Sequence, residues 1–265
     1  VCGSIMSIIA DLHIHSRFAG ACSKSIDLRK LEEYARIKGV NLMGTGDFTH
    51  PKWFPEVCNT LREDENGILW SNSKFPFIWQ TELSLAYSQD GKGRRVHHGV
   101  LAPNRDVVKQ IIDILGKKFR LDYDGRPILG MSSIEFAEVL MSISKDIEII
   151  PFHIWTSFFG CLGSKSGFDS VEECFKEKSK YIHAIESGMS SDPAMNWRIK
   201  SLDKYQIVSF SDLHSFWPWR LGREATMFDT DLDYKQIINA IRTGEKLAGT
   251  IETSPLYGKY HIDGH

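Results

Sequence analysis

The residues best suited to chemistry in this chain are histidines and carboxylates that come in closely spaced pairs. His13 and His15 are two positions apart, and Asp212 and His214 repeat this spacing with a carboxylate first. Alternate side chains of an extended chain lie on the same side, so each pair can reach a single metal ion. Imidazole and carboxylate ligands without thiolates are typical of zinc, manganese or iron at a site that also binds water.

Further ligand-type residues follow short apolar runs that we predict to be strands. The seven predicted strands are 8–10, 41–44, 77–79, 96–101, 147–152, 181–185 and 207–210. Beyond the two pairs, the ionisable residues in or directly after these runs are Asp47, Glu82, His97, His98, His153 and Glu186. A single histidine on a strand is more often a core residue than a ligand, but so many at strand ends indicate a functional site.

Amphipathic helical patterns lie between these runs, for example over 28–37 and 107–115. Ser132 and Glu135 form a capping-box pattern, and Asp169, Asp192 and Asp233 stand where helix N-caps are expected. Strands that alternate with helices predict an α/β fold with a mostly parallel sheet, closed or nearly closed into a barrel. The carboxyl ends of the strands would then open on one face, where the polar residues would converge.

The composition excludes several other classes of protein. Hydrophobic residues make up 42% and charged residues 25% of the 265 residues, as in a globular protein with an apolar core. No apolar run approaches the roughly 20 residues that a membrane helix needs. The five cysteines are scattered without a CxxC pair, which favours a reducing, cytoplasmic location. The net charge of −2 means that any nucleic-acid binding must come from a local patch.

The ligand-type residues exceed the needs of one ion. Two or three divalent ions that share a bridging carboxylate are the simplest interpretation. Clustered ions of this kind are the usual means of in-line phosphoryl displacement.

Several of these segments together resemble the PHP (polymerase and histidinol phosphatase) phosphoesterases. The matching segments are 11–16, 45–47, Glu82, His98, 151–153 and 211–214, in the order typical of the family. The resemblance implies a distorted seven-stranded β/α barrel over residues 1–256, with a multinuclear site for zinc, manganese, magnesium or iron.

The resemblance also implies a role for each ligand. It assigns His13, His15, Glu82 and Asp212 to one metal, Glu82, His98 and His153 to a second, and Asp47 and His214 to a third. Glu82 would bridge the first two metals, and Glu82, Asp212 and His214 would act in catalysis. Two departures concern the third metal, since Asp47 and Ala21 stand where the family usually has histidines.

Longer strings within the chain resemble the endonuclease Q family in particular. These strings are 11–17, 44–47, 96–98, 186–190, 220–224 and the tail 257–261. The resemblance implies an enzyme that nicks DNA 5′ to deaminated bases such as uracil and hypoxanthine, or at abasic sites. It also implies that residues 257–265 begin a zinc-binding module. His261 and His265 are either part of that module or part of a polar tail, and the role of His97 is open.

Aromatic and basic residues follow two of the predicted strands. Those that we predict to contact DNA, by stacking on bases or holding phosphates, are Trp155, Trp217, Trp219, Arg220 and Arg223. The alternative is that some of these aromatic side chains only cover the rim of the barrel. Two further functions stay open, a phosphatase of small phosphate esters and an accessory barrel of a larger polymerase or helicase protein.

Overall fold

The computed structural model describes residues 7–257. The predicted tail 257–265 therefore lies outside the described residues except for Tyr257, as do His261 and His265. The domain boundary at residue 256 and the zinc-binding module stay predictions.

The fold combines twelve strands with seven α-helices in this part of the chain. The strands are β1 (Ile8–Asp11), β2 (Leu42–Gly44), β3 (Arg62–Glu63), β4 (Leu69–Trp70), β5 (Pro76–Gln89), β6 (Lys92–Ala102), β7 (Ile128–Leu129), β8 (Glu148–Pro151), β9 (Ala184–Glu186), β10 (Gln206–Val208), β11 (Ala225–Phe228) and β12 (Leu247–Ile251). The helices are α1 (Leu28–Lys38), α2 (Trp53–Thr60), α3 (Arg105–Gly116), α4 (Ser133–Ile143), α5 (Val171–Phe175), α6 (Pro193–Asn196) and α7 (Tyr234–Thr243). The predicted α/β class is confirmed.

The main sheet is mixed, so the prediction of a mostly parallel sheet is wrong. β1, β2 and β5 pair in parallel, but β11 pairs antiparallel with β1, and β12 pairs antiparallel with β11. β5 and β6 form a long antiparallel hairpin, and β8 pairs antiparallel with β6. The hairpin turns at Asp90 and Gly91, which have φ angles of 51° and 74°. A two-residue loop of this type requires positive φ at both positions, which Asp-Gly readily supplies.

A closed seven-stranded barrel is not confirmed. Within residues 7–257, the hydrogen-bonded ladders join ten strands into one sheet and leave β9 and β10 as a separate parallel pair. An apolar cluster nevertheless gathers buried side chains from strands of both sheets. Its members include Ile8, Leu42, Ile78, Leu101, Ile150, Ala184, Val208 and Phe228. The strands thus surround one core even though their ladders do not close, and this brings together the carboxyl ends of the strands that run in one direction, such as β1 and β2.

Helix ends follow the predicted capping pattern with one exception. The Ser132 hydroxyl accepts from the backbone N–H of Glu135 at 3.1 Å, and Asp192 and Asp233 cap α6 and α7 in the same way. The prediction for Asp169 is wrong, because the N-cap of α5 is the next residue, Ser170. Aspartate and serine both accept the N-cap hydrogen bond, so the sequence alone could not decide between the adjacent residues Asp169 and Ser170.

Gly99 of β6 is the position where the packing around the strand ends is tightest. A Cβ at Gly99 would lie 1.9 Å from Cζ of Phe152, and the Phe152 ring stacks on that of His13 with 3.7 Å between centroids. We expect Gly99→Ala to lower the free energy of unfolding by about 1–3 kcal/mol, because a buried aromatic ring must move. Urea unfolding measures this loss.

Gly93→Ala, in the same strand, is the matched control. A Cβ at Gly93 would meet nothing within 4 Å. Its free energy of unfolding should change by less than about 0.5 kcal/mol, as for an ordinary surface substitution. Equal stability of the two variants would contradict the packing described.

Candidate metal centre

Two groups of buried histidines and carboxylates come together where the strands end. The first group is His13, His15, Glu82 and Asp212, and the second is Glu82, His97 and His153. In each group one ligand atom per residue lies within 4.8 Å of all the others. A parallel bridge between Ile14 and Leu213 joins the segments after β1 and β10. This bridge places the two sequence pairs side by side.

In the first group, ring nitrogens and carboxylate oxygens point at a common centre. His13 Nε2 lies 3.5 Å from Glu82 Oε1 and 3.4 Å from Asp212 Oδ1. His15 Nε2 lies 3.2 Å from Glu82 Oε2 and 3.0 Å from Asp212 Oδ1. Among residues 7–257, nothing hydrogen-bonds to His13 Nε2, although this atom is fully buried. Because an unpaired buried polar atom is costly, these residues fit a divalent cation that would bind this nitrogen.

The second group shares Glu82 with the first. Glu82 Oε1 lies 2.9 Å from His97 Nδ1 and 3.1 Å from His153 Nε2, while Oε2 faces His15. Oε1 therefore lies near ring nitrogens of both groups, since His13 Nε2 is 3.5 Å from it, and Oε2 lies near the first group alone. This arrangement supports the proposal that Glu82 bridges two ions.

Glu186 holds His13 in place from behind. Its two oxygens lie 3.0 and 3.1 Å from His13 Nδ1, and Oε2 also accepts from the backbone N–H of His153 at 2.7 Å. Nδ1 of His13 therefore carries a hydrogen toward Glu186, and Nε2 is the nitrogen that can bind a metal. Carboxylates that orient a metal-binding histidine in this way are usual at such sites. Sequence reasoning placed Glu186 at a strand end but gave it no role.

The structure does not group Asp47 and His214 as ligands of a third metal. Asp47 Oδ1 accepts from His15 Nδ1 at 3.0 Å, and its Oδ2 accepts from the backbone N–H of Ser16 at 2.6 Å. Both oxygens are thus engaged behind His15. His214 Nδ1 donates to the carbonyl of Asp212 at 2.9 Å, and its ring lies 5.0 Å from that of His15. Asp47 contacts His15 and does not join a ligand group of the described residues, so its assignment to a third metal stays a prediction.

His98 also differs from the prediction, because its side chain lies on the other side of β6. Its Nε2 is 2.8 Å from the Ser133 hydroxyl, and its ring packs against Phe136 and Phe175. The neighbouring His97 belongs to the second group instead. Successive residues of a strand face opposite sides, so only one of two adjacent histidines can reach the centre. The sequence of residues 96–98 indicated that one of these two histidines reaches the centre, but it did not indicate which one.

Three residues of the site have backbone conformations that side chains rarely adopt. The φ angles of Asp47, His153 and Asp212 are 39°, 32° and 49°. Strained residues of this kind each cost about 1–3 kcal/mol and cluster at functional sites. His153 and Asp212 face the centre from these conformations, and Asp47 contacts His15 from behind.

Charge within the centre shifts the protonation of its members. Burial alone would lower the pKa of His13, but the negative charges of Glu186, Asp212 and Glu82 outweigh it and raise the pKa to about 10. Burial dominates at His97 and lowers its pKa to about 3, so that ring is neutral. Burial would raise the pKa of Asp212, but His13 and His15 hold it well below its usual range. A metal that binds His13 must therefore displace a proton, and acid will weaken metal binding.

The two groups open on a cleft of about 370 Å³. Besides His97, His153, Asp212 and His214, its lining includes Arg126, Arg223 and the half-exposed Phe158. Arg126 Nη1 donates to Glu82 Oε2 at 2.9 Å. Sequence reasoning missed Arg126, since no strand end or motif marks it.

The predicted substrate contacts are more widely spread. Arg223 lines the cleft and donates through Nε to the carbonyl of Ser211 at 3.0 Å. Trp217 and Trp219 stack in parallel, with 5.3 Å between centroids, on the surface beside Tyr34 of α1. Trp155 donates to Asn196 and lines a separate pocket of about 330 Å³. In the described part of the chain, neither these three tryptophans nor the exposed Arg220 lines the cleft.

Comparison with solved structures relates this site to nucleases. The chain is 30% identical to the lesion-specific endonuclease Q of Pyrococcus furiosus, with a TM-score of 0.79 over 89% of this chain and 56% of that one. It is 31% identical, with a TM-score of 0.80 and the same coverage, to an endonuclease Q solved with a 27-mer duplex that carries an abasic lesion at the active site. The predicted resemblance to endonuclease Q, a hydrolase, is confirmed.

The relatives extend beyond the matched part. The chain spans just over half the length of the two endonuclease Q structures. An uncharacterized protein of Methanocaldococcus jannaschii is 32% identical over 134 residues, which are half of this chain and 15% of that protein. No model of a known protein family matches.

None of the helices between residues 7 and 257 has the length and apolar character needed to cross a membrane.

Substitution of His97 and His98 one at a time distinguishes a metal-binding role from a packing role. We expect His97→Ala to weaken Mn²⁺ binding by about tenfold or more, since even the loss of an outer partner of a metal ligand costs roughly 10–100-fold. We expect His98→Ala to retain Mn²⁺ binding but to lower the free energy of unfolding, because a buried hydrogen bond and ring packing are lost. Isothermal titration with Mn²⁺ and urea unfolding measure the two effects. Weaker Mn²⁺ binding by His98→Ala, with unchanged binding by His97→Ala, would instead support His98 as the ligand.

Proposed function

We propose that this chain carries a metal-dependent phosphodiesterase centre that nicks DNA 5′ to deaminated bases or abasic nucleotides. The observation that carries the proposal is the pair of buried ligand groups joined by Glu82, open to a cleft that also contains two arginines. Likeness to a lesion-specific endonuclease and to an endonuclease solved with an abasic duplex supports DNA as the substrate. An intracellular location follows from that substrate.

The ligand groups would hold the divalent ions that the reaction needs. His13, His15 and Asp212 would bind one ion and His97 and His153 another, with Glu82 between them. Zinc, manganese or magnesium bound in this way would lower the pKa of a coordinated water and neutralise charge on a phosphate. Glu186 and Asp47 keep the rings of His13 and His15 in the orientation that this binding requires.

His214 is suited to proton transfer beside these ions. Its Nδ1 faces a carbonyl, which can only accept, so this nitrogen carries the hydrogen and Nε2 is an acceptor. Burial lowers the pKa of His214, which keeps the ring neutral near pH 7. We propose that His214 takes a proton from the attacking water and returns it to the leaving oxygen.

The size of the cleft determines how DNA must enter. About 370 Å³ is the volume of a small-ligand pocket, much less than a duplex needs. A damaged nucleotide would therefore leave the base stack before cleavage. Abasic and mismatched nucleotides are the easiest to extrude, which agrees with a lesion-specific enzyme. The stacked pair Trp217 and Trp219 would contact the surrounding strand.

A phosphatase of small phosphate esters is the second candidate, and the small volume of the cleft favours it. This enzyme would use the same ions and arginines. It would hydrolyse a phosphomonoester such as p-nitrophenyl phosphate and leave DNA intact.

The first test compares matched duplexes that contain uracil, hypoxanthine, an abasic site or no lesion, each with Mn²⁺, Mg²⁺ or Zn²⁺. We expect nicks only in the lesion-bearing strands, and none after chelation of the metal.

Asp212→Asn tests the first ligand group, because it removes a charged ligand. Loss of a residue that only orients a metal ligand costs roughly 10–100-fold, so loss of Asp212 should lower the cleavage rate by more than that. Thermal unfolding of the metal-free variant checks the fold. Full activity of Asp212→Asn at limiting metal would refute the site.

Trp219→Ala tests whether the tryptophan pair contacts DNA. Trp219 is 66% exposed and stacks on Trp217. Loss of a stacking partner should weaken binding to an abasic duplex by ~1–3 kcal/mol, with no change in hydrolysis of bis(p-nitrophenyl) phosphate. Trp197→Ala is the control, because Trp197 is equally exposed, at 68%, and belongs to a different surface. Equal DNA affinity of Trp219→Ala and Trp197→Ala would show that the tryptophan pair does not contact DNA.

A further inference from the structure

Arg126 is a cation built into the metal centre. It lies between α3 and β7, and its side chain is 22% exposed in the cleft. Its Nη1 pairs with Glu82, and the charges of Glu82, Asp212 and Asp47 all act on the guanidinium. These carboxylates raise its pKa further, so Arg126 is always charged.

The backbone beside Arg126 is fixed to the segment that follows β1. A Cβ at Gly125 would lie 2.4 Å from Asp47 Oδ2, so only glycine allows this close approach. The N–H of Gly125 donates to the carbonyl of Phe18 at 3.1 Å. The Asp124 carboxylate accepts from the N–H groups of both Gly20 and Arg126. Arg126 is thus positioned from both sides by groups of the site itself.

Within residues 7–257, the residues that the resemblance assigns to a third ion do not form a ligand group. Asp47 uses both oxygens on His15 and Ser16. Ala21 offers no ligand atom, and His214 belongs to neither ligand group in the described residues. Arg126 is an arginine of the cleft that pairs directly with a carboxylate of the two ligand groups.

The charges favour two ions and one arginine. Four carboxylates contact the clustered histidines, namely Asp47, Glu82, Glu186 and Asp212. Two divalent ions would neutralise these four charges. Of the two arginines in the cleft, Arg223 donates to the Ser211 carbonyl, and Arg126 pairs with Glu82. The positive charge of Arg126 then matches the single negative charge of a phosphodiester, whereas a phosphomonoester carries nearly two at neutral pH.

We propose that the centre holds two divalent ions and that the Arg126 guanidinium takes the place of a third, binding a non-bridging oxygen of the phosphodiester. Guanidinium groups bind phosphate through paired, charge-assisted hydrogen bonds that an ammonium group does not reproduce. The inference rests on the proposed function and specifies how its substrate is held.

The experiment compares the wild-type protein with Arg126→Gln and Arg126→Lys. Arg120→Gln is the matched control, because Arg120 lies in the same loop but is 76% exposed and pairs with Asp122. Each protein is loaded with Mn²⁺, freed of excess metal and analysed for bound manganese by mass spectrometry. Diethyl phosphate and inorganic phosphate are then titrated by calorimetry into the loaded proteins, and lesion cleavage is measured separately.

We expect two manganese ions per chain in all four proteins. Diethyl phosphate should bind about tenfold or more weakly to Arg126→Gln, with Arg126→Lys between it and the wild type and Arg120→Gln unchanged. In the wild type, diethyl phosphate should bind at least as tightly as inorganic phosphate. Arg126→Lys keeps the charge next to Glu82, so it carries the test if Arg126→Gln does not fold.

Three results would overturn the inference. One is a third tightly bound ion in the wild type. Another is loss of manganese from the Arg126 variants, which would make Arg126 a support for Glu82 only. The third is unchanged affinity for diethyl phosphate. Because ion count and diester binding require no DNA cleavage, absence of nicking would refute the proposed function and leave these readouts intact.

Discussion

The central constraint in this structure is the shared carboxylate of Glu82. It is fully buried in the middle of β5, with imidazoles of both ligand groups and a guanidinium around it. A buried carboxylate is stable only when paired, and these positive or donor groups hold its pKa well below the usual range. The long hairpin of β5 and β6, the segment after β1 and the loop before β7 must therefore all meet at this side chain.

The residues around Glu82 are fixed by a second layer of carboxylates and backbone groups. Glu186 orients His13, Asp47 orients His15, and Asp11 accepts from the N–H groups of Ser211 and Gly222. Burial raises the pKa of Asp11 to about 6, whereas Asp212 stays ionised beside the histidines. Aspartates and glutamates of the site thus have different roles, and their hydrogen-bond partners decide which of them can face a metal.

The mixed sheet explains how the centre forms without a closed barrel. Strands of both sheets pack around one apolar cluster, which also includes Ile237 and Ile241 of α7. The Tyr234 hydroxyl of α7 lies 2.9 Å from the carbonyl oxygen of Leu101 and 2.8 Å from that of Asp146. This packing directs the ends of β1, β8 and β10 to the same side as the middle of β5. Convergence of the ligands depends on the shared core and not on a complete ring of hydrogen bonds.

The sequence by itself predicted seven of the twelve strands of the described residues and most members of the two ligand groups, because periodicity and spacing are local properties. It did not predict β3, β4, β7, β11 and β12. It also contained the Asp90-Gly91 turn signal of the β5–β6 hairpin, which the prediction of a parallel sheet left unused. Only the tertiary structure decided between His97 and His98, since strand facing depends on the register with β5 and β8. It likewise brought Arg126 to Glu82 and turned Asp47 toward His15, because contacts between residues distant in the chain leave no local pattern.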